Sequence, residues 1–383
     1  MTALTYQSSW MTDELRTFRE TLRKFISKEW IPQQARWRSQ MQPDTDAWVK
    51  AGKVGLLLPD VPESYGGGGG NFAHQAVVLE ELARANVHFG AGIQSVVAHY
   101  LLEYGSEEQR CKWLPPMARG ELVAAIALTE PEAGSDLQGI RTNARRGREH
   151  YVINGSKTFI SSGSHAGIVC LAVKTDLNAS GTKGISLVLV ETRDLQGYRV
   201  GPPFAKIGMH EQDTCELFFD EVRVPCANLL GDTEGKGFAQ MMAQLPYERL
   251  MVGVTAVATA EQAVAMTAGY ARERLISGRP LFDLQNTRFK LAECRTESHI
   301  GRVFIDSCIE RFVRGHLDDA STAMAKYWLT DCQCRIVDEC VQLHGGYGYI
   351  TDYPIARMWT DSRAQRIYAG TNEIMKEIVA WSM

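Results

Sequence analysis

The chain carries almost no excess charge of either sign. Its 41 lysines and arginines nearly balance 45 aspartates and glutamates, a formal net charge of −4. That balance gives no reason to expect nucleic acid or an anionic membrane as a partner. Paired C-x-x-C motifs are missing, and the nine cysteines are scattered and odd in number. A zinc ribbon or a disulfide framework is therefore not expected, nor is any other metal site; reduced, buried thiols are. No run of about 18 consecutive apolar residues occurs, so membrane insertion is not expected. The segment Met1 to Trp10 lacks a charged head followed by an apolar run, and Asp13, Glu14 and Glu20 come early. Neither a secretory signal nor an Arg-rich transit peptide is read there, and a cytoplasmic location is the expectation. A Gly-x-Gly-x-x-Gly phosphate loop is absent too. In the run Gly66 to Gly70 the third required glycine is Asn71, and the cluster Gly345, Gly346, Gly348 fails at Thr351. A Rossmann site is thus not expected, and the five glycines should form a turn of unusual φ.

What is present fits an ordinary globular chain. With 383 residues, 45% of them hydrophobic and 22% charged, there is enough for two or three domains around a sizeable core. From Thr12 to about Arg119 the pattern is helical: Leu15, Phe18, Leu22 and Phe25 draw one apolar stripe, and Asn71 is placed to cap a helix running to Asn86. After Gly120 come short β-rich runs at 122–128, 151–153, 158–160, 168–173, 185–190 and 215–219. Turn signals such as Asn154-Gly155, Ser162-Gly163 and Gly181-Thr182 separate them. Strands without intervening helices predict an antiparallel sheet. Helical periodicity returns over 237–275, 284–314, 318–344 and 371–380. The expected organisation is a helical domain over 1–120, a β domain over 121–232 and a second helical domain over 233–383.

Within the last of these, Leu245 to Leu250 places Glu248 and Arg249 near the head of a long apolar helix. Adjacent helical residues point about 100° apart, so they are not a simple ion pair. On residue types alone they read as a solvated face sooner than as placed catalytic groups, because Glu-Arg neighbours on helices are common.

Further stretches bear on that choice. Leu128-Thr129-Glu130-Pro131-Glu132-Ala133-Gly134-Ser135-Asp136 opens the β domain, and Asn154 to Gly163, expected on a hairpin, follows. Arg274 to Gly278 and Gln285 lie in the second helical region. Gln342-Leu343-His344-Gly345-Gly346 and Ile367-Tyr368-Ala369-Gly370-Thr371-Asn372-Glu373 close the chain. In this order and spacing they resemble the acyl-CoA dehydrogenase family along essentially the whole chain. The resemblance implies a mostly α fold with a central antiparallel β domain, between an N-terminal helical domain and a C-terminal four-helix bundle. It also implies FAD as cofactor and an acyl-CoA thioester as substrate.

By resemblance, Leu128, Thr129, Gly134 and Ser135 serve the flavin's polar edge, with Ser135 also near substrate, while Phe159 and Ser161 face its ring system. Arg274 would hold the pyrophosphate across a subunit interface, and Gln285 is a further cofactor-binding residue. Gln342, Gly345 and Gly346 would cradle the adenosine half from a neighbouring subunit, and Thr371 and Glu373 would touch the cofactor at the start of the last helix. Ser277 stands where the family usually has Phe. Tyr247, Arg249, Ala369 and Gly370 are the further substrate-side residues.

Many members carry the catalytic glutamate directly after the tyrosine of the Tyr368 stretch, where this chain has Ala369. The long-chain and isovaleryl types carry it on the long helix after the β domain, and Glu248 matches that position. The implied activity is α,β-dehydrogenation to trans-2-enoyl-CoA, with a medium, long or branched acyl chain and an electron-transfer flavoprotein as acceptor. A short branched-chain, isovaleryl-type enzyme and a flavin- or acyl-CoA-binding protein without turnover are the alternatives. A homo-oligomer, as a tetramer, is implied.

Overall fold

The computed structural model describes residues 6–383. Its first third is helical: α1 (Asp13–Phe25), α2 (Gln34–Gln40), α3 (Thr45–Lys53), α4 (Phe72–Arg84), α5 (Ala91–Tyr104) and α6 (Glu107–Ala118). Asn71 caps α4 as its residue type predicts. Its side chain accepts from the Ala73 N–H, and the His74 ring accepts from the Asn71 N–H. The glycine run is a tight turn in which Gly66 and Gly69 have φ of +82° and +69°. At Gly67 a Cβ would lie 2.2 Å from the Val61 carbonyl oxygen, so no larger residue fits there.

The middle of the chain is one seven-stranded sheet: β1 (Ala124–Ala127), β2 (Asn143–Arg146), β3 (His150–Ser161), β4 (Ile168–Lys174), β5 (Ile185–Glu191), β6 (Tyr198–Val200) and β7 (Thr214–Pro225). Its order is β1-β4-β2-β3-β7-β6, with β5 also on β4. Most pairs are antiparallel, but β1 runs parallel to β4, and β2 meets β4 in parallel at Asn143 and Lys174. The sheet is therefore mixed, a departure from the antiparallel expectation. The chain leaves β1, builds the β2–β3 pair, and returns on the same edge in the same direction. That long connection cannot be inferred from strand composition.

The Asn154-Gly155 step is a second departure. It is not a hairpin turn but lies inside β3, where the register against β7 shifts between Ile153 and Gly155. The Asn154 side chain bridges the irregularity, bonding both the N–H and the carboxylate of Glu221 at 2.9 and 2.6 Å. Gly155 is required because a Cβ would sit 2.5 Å from Thr142 Oγ1.

β4 is buried on both faces. Ile168, Cys170 and Ala172 join the core shared with the helices, whereas Val169, Leu171 and Val173 pack with Tyr151, Val188 and Leu217 on the other side. The chain then forms α7 (Gly237–Glu273), a short hairpin of β8 (Leu275–Ile276) and β9 (Arg279–Pro280), α8 (Gln285–Val313), α9 (Asp319–His344), α10 (Pro354–Ser362) and α11 (Asn372–Trp381). By length and composition α7 would suffice to cross a bilayer, which the search for unbroken apolar runs does not reveal. Yet 72% of its most apolar window is buried inside the protein. Helices α4, α5, α8 and α9 pack against it, and its apolarity is that of a core helix. Arg302 of α8 ties the layers together through Glu80 of α4 at 2.5 Å and Glu261 of α7 at 3.0 Å, all largely buried.

Candidate active site

Helix α7 brings Glu248 to the seam between the first helical domain and the sheet. Pro246, two residues earlier, lacks the N–H that would bond the Met242 carbonyl, so the helix is locally loosened where the carboxylate projects. The Tyr100 hydroxyl of α5 donates to Glu248 Oε1 at 3.3 Å. The buried Cys170 thiol of β4 lies near enough for the Glu248 charge to help burial push its pKa up to about 12. Burial raises the Glu248 pKa to about 7, against the opposing pull of the Tyr100 hydrogen bond and the Arg249 charge. A carboxyl group poised near neutrality is suited to accepting a proton from a carbon acid.

The flanking residues go elsewhere. Tyr247, expected on the substrate side, is buried with its hydroxyl on Asp60 Oδ2 at 2.9 Å and its ring against His99 at 4.1 Å. The helical rotation of about 100° from Glu248 turns it into the first helical domain, where it anchors the segment bearing the glutamate. Arg249 is buried, and its Nε has no hydrogen-bond partner among the described residues. Burial lowers its pKa, while the charges of Asp319 and Glu248 act to raise it.

Ala369 lies in a left-handed turn, φ +53°, followed by Gly370 at φ +86°. Among the described residues neither backbone N–H has a hydrogen-bond partner. The turn leads into α11, whose cap is Thr371 Oγ1 accepting from the Ile374 N–H at 3.4 Å, with the exposed Glu373 in the first turn. Lys326 of α9 lies beneath it, donating to the Gly370 carbonyl at 2.6 Å and to Asn372 Oδ1 at 2.9 Å. Burial and the Arg249 charge together lower the Lys326 pKa to about 8, which puts Arg249 in the vicinity of the same turn.

A second set of residues gathers at the sheet. The Thr158 N–H bonds the Thr129 carbonyl at 3.0 Å, so the loop after Leu128 is stitched to β3 beside Phe159. Lys157, wholly buried, bonds the Leu128 carbonyl and Glu130 at 2.9 and 2.8 Å. Glu130 in turn accepts from the Arg141 and Thr142 N–H groups. Gly134 and Ser135 cross the exposed tip of this loop, and a Cβ at Gly134 would meet nothing within 4 Å. Phe159 has φ +58° at the second irregularity of β3, which throws its ring outward, 66% exposed and 5.5 Å from Phe204. Ser161 is the last residue of the strand. An exposed phenylalanine against a half-buried one, beside a fixed polar loop, fits the flat ring system and polar edge of a flavin.

The third set stands at the far end of α7. Arg274 follows its last turn, exposed, 5.5 Å from the Tyr347 ring. Gln342, Gly345 and Gly346 lie beside it where α9 ends, and Tyr270 stacks on His344 at 4.2 Å. A Cβ at either glycine would meet only open space. Gln285 opens α8. Ser277 and Gly278, both with positive φ, are the two residues of the β8–β9 turn. That turn demands left-handed backbone at both positions. Arg274 is twenty-six residues beyond Glu248, roughly 39 Å along a helix rising 1.5 Å per residue.

Tyr100, Lys326 and Asp60 lie outside the motif reading. Each is a single polar residue in an apolar helix or loop, and only tertiary contact reveals its partner.

Residues 12–121, 125–222 and 235–383 match in turn the family models of the acyl-CoA dehydrogenase N-terminal, middle and C-terminal domains. The chain is 44% identical over 367 residues to the mitochondrial long-chain specific acyl-CoA dehydrogenase of Sus scrofa, covering 95% of this chain and 85% of that one. The crystal structure of acyl-CoA dehydrogenase from Geobacillus kaustophilus matches with a TM-score of 0.96 at 42% identity, covering 98% of this chain and 99% of that chain. A glutaryl-CoA dehydrogenase from Mycobacterium smegmatis in complex with FADH2 matches with a TM-score of 0.91 at 26% identity, covering 97% and 95%. The chain belongs to the acyl-CoA dehydrogenase family. It is a flavoprotein oxidoreductase, an acyl-CoA dehydrogenase with FAD as its cofactor.

Proposed function

We propose that this enzyme oxidises the Cα–Cβ bond of a medium- to long-chain acyl-CoA, straight or branched, with Glu248 as the base. The observation that carries the reading is the placement of Glu248. It is the carboxylate at the seam of α5, α7 and β4, held at a pKa of about 7, while the alternative position for a base is Ala369. Bound FAD supplies the hydride acceptor. Glu248 takes the α proton, and the unbonded N–H of Ala369 donates to the thioester oxygen as negative charge develops there. Only the backbone of residue 369 is needed for that, so alanine suffices. Phe159, Ser161, Thr129, Gly134 and Ser135 would hold the flavin half of the cofactor. Arg274, Gln285, Gln342, Gly345 and Gly346 would serve its pyrophosphate and adenosine, with Thr371 and Glu373 at the head of α11.

The roughly 39 Å between Glu248 and Arg274 supports a site completed by a second copy of the chain, within a homo-oligomer expected to be a tetramer. An electron-transfer flavoprotein is the proposed acceptor, as the family implies. The identity to a long-chain relative favours longer chains over the isovaleryl-type alternative.

The test is anaerobic mixing of the FAD-loaded protein with acyl-CoAs from butyryl to stearoyl, and with isovaleryl-CoA. Bleaching of the oxidised flavin should be fastest with the longer chains. Failure to bleach with every thioester would leave a binding protein without turnover, and a preference for isovaleryl-CoA would replace the chain-length assignment.

A further inference from the structure

Lys326 has no part in the motifs that mark the family resemblance in this sequence, yet it is among the costliest side chains in the protein. It is wholly buried in the first third of α9, where a methionine or leucine would pack without desolvating a charge. No carboxylate lies within salt-bridge distance of it among the described residues. Its two hydrogen bonds go to Gly370 and Asn372, both in the short segment leading into α11. Asn372 is itself buried and tied down by its Nδ2, which donates to the Tyr327 carbonyl, Thr330 Oγ1 and Asp331 Oδ1 at 3.2, 3.0 and 2.9 Å. On the other side of the turn, the Tyr368 N–H bonds the Ala364 carbonyl at 3.2 Å. The left-handed pair Ala369–Gly370 is thus fixed at both ends, with its own N–H groups left over.

Left-handed backbone at a non-glycine residue is uncommon, is strained, and persists where the surroundings over-determine it. Here the over-determining contacts on the α11 side are the buried Asn372 amide and the Lys326 ammonium, and only the ammonium reaches the turn's own Gly370 carbonyl. The ammonium charge is opposed by Arg249 and Arg366 and offset only at a distance by Asp331 and Glu373. A turn that merely had to be packed would need neither the charge nor the hydrogen bonds.

We propose that Lys326 is a positioning residue for catalysis: by holding the Gly370 carbonyl and the Asn372 side chain it aims the Ala369 N–H at the thioester oxygen and holds a positive field behind it. The proposal rests on the reading of the Ala369 amide given above. Loss of a single donor to a developing oxyanion typically costs 10²–10³ in rate, and displacing one costs less.

The experiment uses the full-length, FAD-loaded protein and the variants Lys326→Met and Lys326→Gln, with trans-2-decenoyl-CoA as probe and decanoyl-CoA as substrate. The vibrational frequency of the bound thioester C=O reports the hydrogen bond to its oxygen directly. In the unaltered enzyme that band should lie below its frequency in water. In Lys326→Met most of the displacement should vanish and kcat should fall about ten- to hundredfold, with KM within a few-fold and flavin content unchanged. Lys326→Gln, which keeps a donor of similar length, should lie between, and it decides the matter if the methionine variant does not fold. A displaced band that survives unaltered in a folded variant overturns the role of Lys326 alone. An undisplaced band in the unaltered, active enzyme overturns the reading of the Ala369 amide, and the Lys326 role with it.

Discussion

The Tyr100 hydroxyl donates a hydrogen bond to Oε1 of Glu248 at 3.3 Å, from a phenol that is itself completely buried. The bond favours the carboxylate form and so restrains a pKa that burial drives upward. Tyr100→Phe keeps the ring and removes the donor. The limb of the pH profile assigned to Glu248 should move up by about half a unit to one unit, the equivalent of roughly 1 kcal/mol. Stopped-flow flavin reduction across pH 6 to 9 reads the shift, and an unchanged profile would detach Tyr100 from the base.

Glu248→Gln should lower the rate of flavin reduction by at least about 10³-fold while leaving flavin content intact. In the unaltered enzyme reduction should rise with pH through about 7, because only the deprotonated carboxylate can take the α proton.

The same shift predicts a stability effect. A carboxyl group with a folded pKa near 7 and an ordinary value of 4.5 binds a proton more tightly when folded. Its contribution to stability is fully present below pH 4.5 and lost as pH rises through about 7. Glu248→Gln should therefore be more stable than the unaltered protein at pH 8, by at most about 3 kcal/mol, and the gap should close towards pH 4.5. Chemical denaturation at the two pH values measures it. Equal stabilities at pH 8 would show that the carboxylate is not desolvated.

Asp60 accepts from Tyr247 and from the His99 ring at 2.9 and 3.0 Å. Asp60→Ala strands a buried tyrosine hydroxyl and should cost about 1–3 kcal/mol in unfolding free energy. Because Tyr247 adjoins Glu248 on α7, kcat should also fall by several-fold, while Tyr247→Phe should be milder on both counts.

Arg274→Ala should reduce flavin retention during purification without altering the fold, since the side chain is exposed at the end of α7. Mixing Arg274→Ala chains with Glu248→Gln chains, the first depleted of flavin and the second lacking the carboxylate, should give more activity than either alone. One class of site in the hybrid pairs an intact Glu248 with an intact Arg274 from the other chain. No recovery after verified subunit exchange would mean that the two residues do not share a site.

The order helix, sheet, helix was legible because periodicity is a local property. Leu15, Phe18 and Leu22 declare a helix face, and α7, α8 and α9 fall within two residues of their expected ends. Topology is not local. The parallel β1–β4 pair depends on a connection that crosses β2 and β3, and Asn154-Gly155, a turn signal by composition, is a bulge because Glu221 and Thr142 lie opposite it. At the site, the proposed role of Glu248 rests partly on Ala369, since one position lacks the carboxylate that the other carries. Tyr247 sends its hydroxyl to Asp60, a contact the sequence does not announce, because adjacency to Glu248 says nothing about which core a side chain enters. Tyr100 and Lys326 carry no sequence signal of their own: a tyrosine and a lysine in helices are ordinary until their partners are known.

The length of α7 has a consequence for how the enzyme tolerates dilution and damage. If the base and the phosphate-binding arginine of one working site reside on different copies, a correctly folded solitary chain is inert. Specific activity should then fall below a threshold protein concentration and recover with second-order kinetics on reconcentration. In a cell making two alleles, a lesion at residue 274 would silence the partner's site and leave its own base intact. A lesion at 248 would do the reverse, so either lesion alone would spare half of the sites in a mixed population, and the two together on different copies would complement.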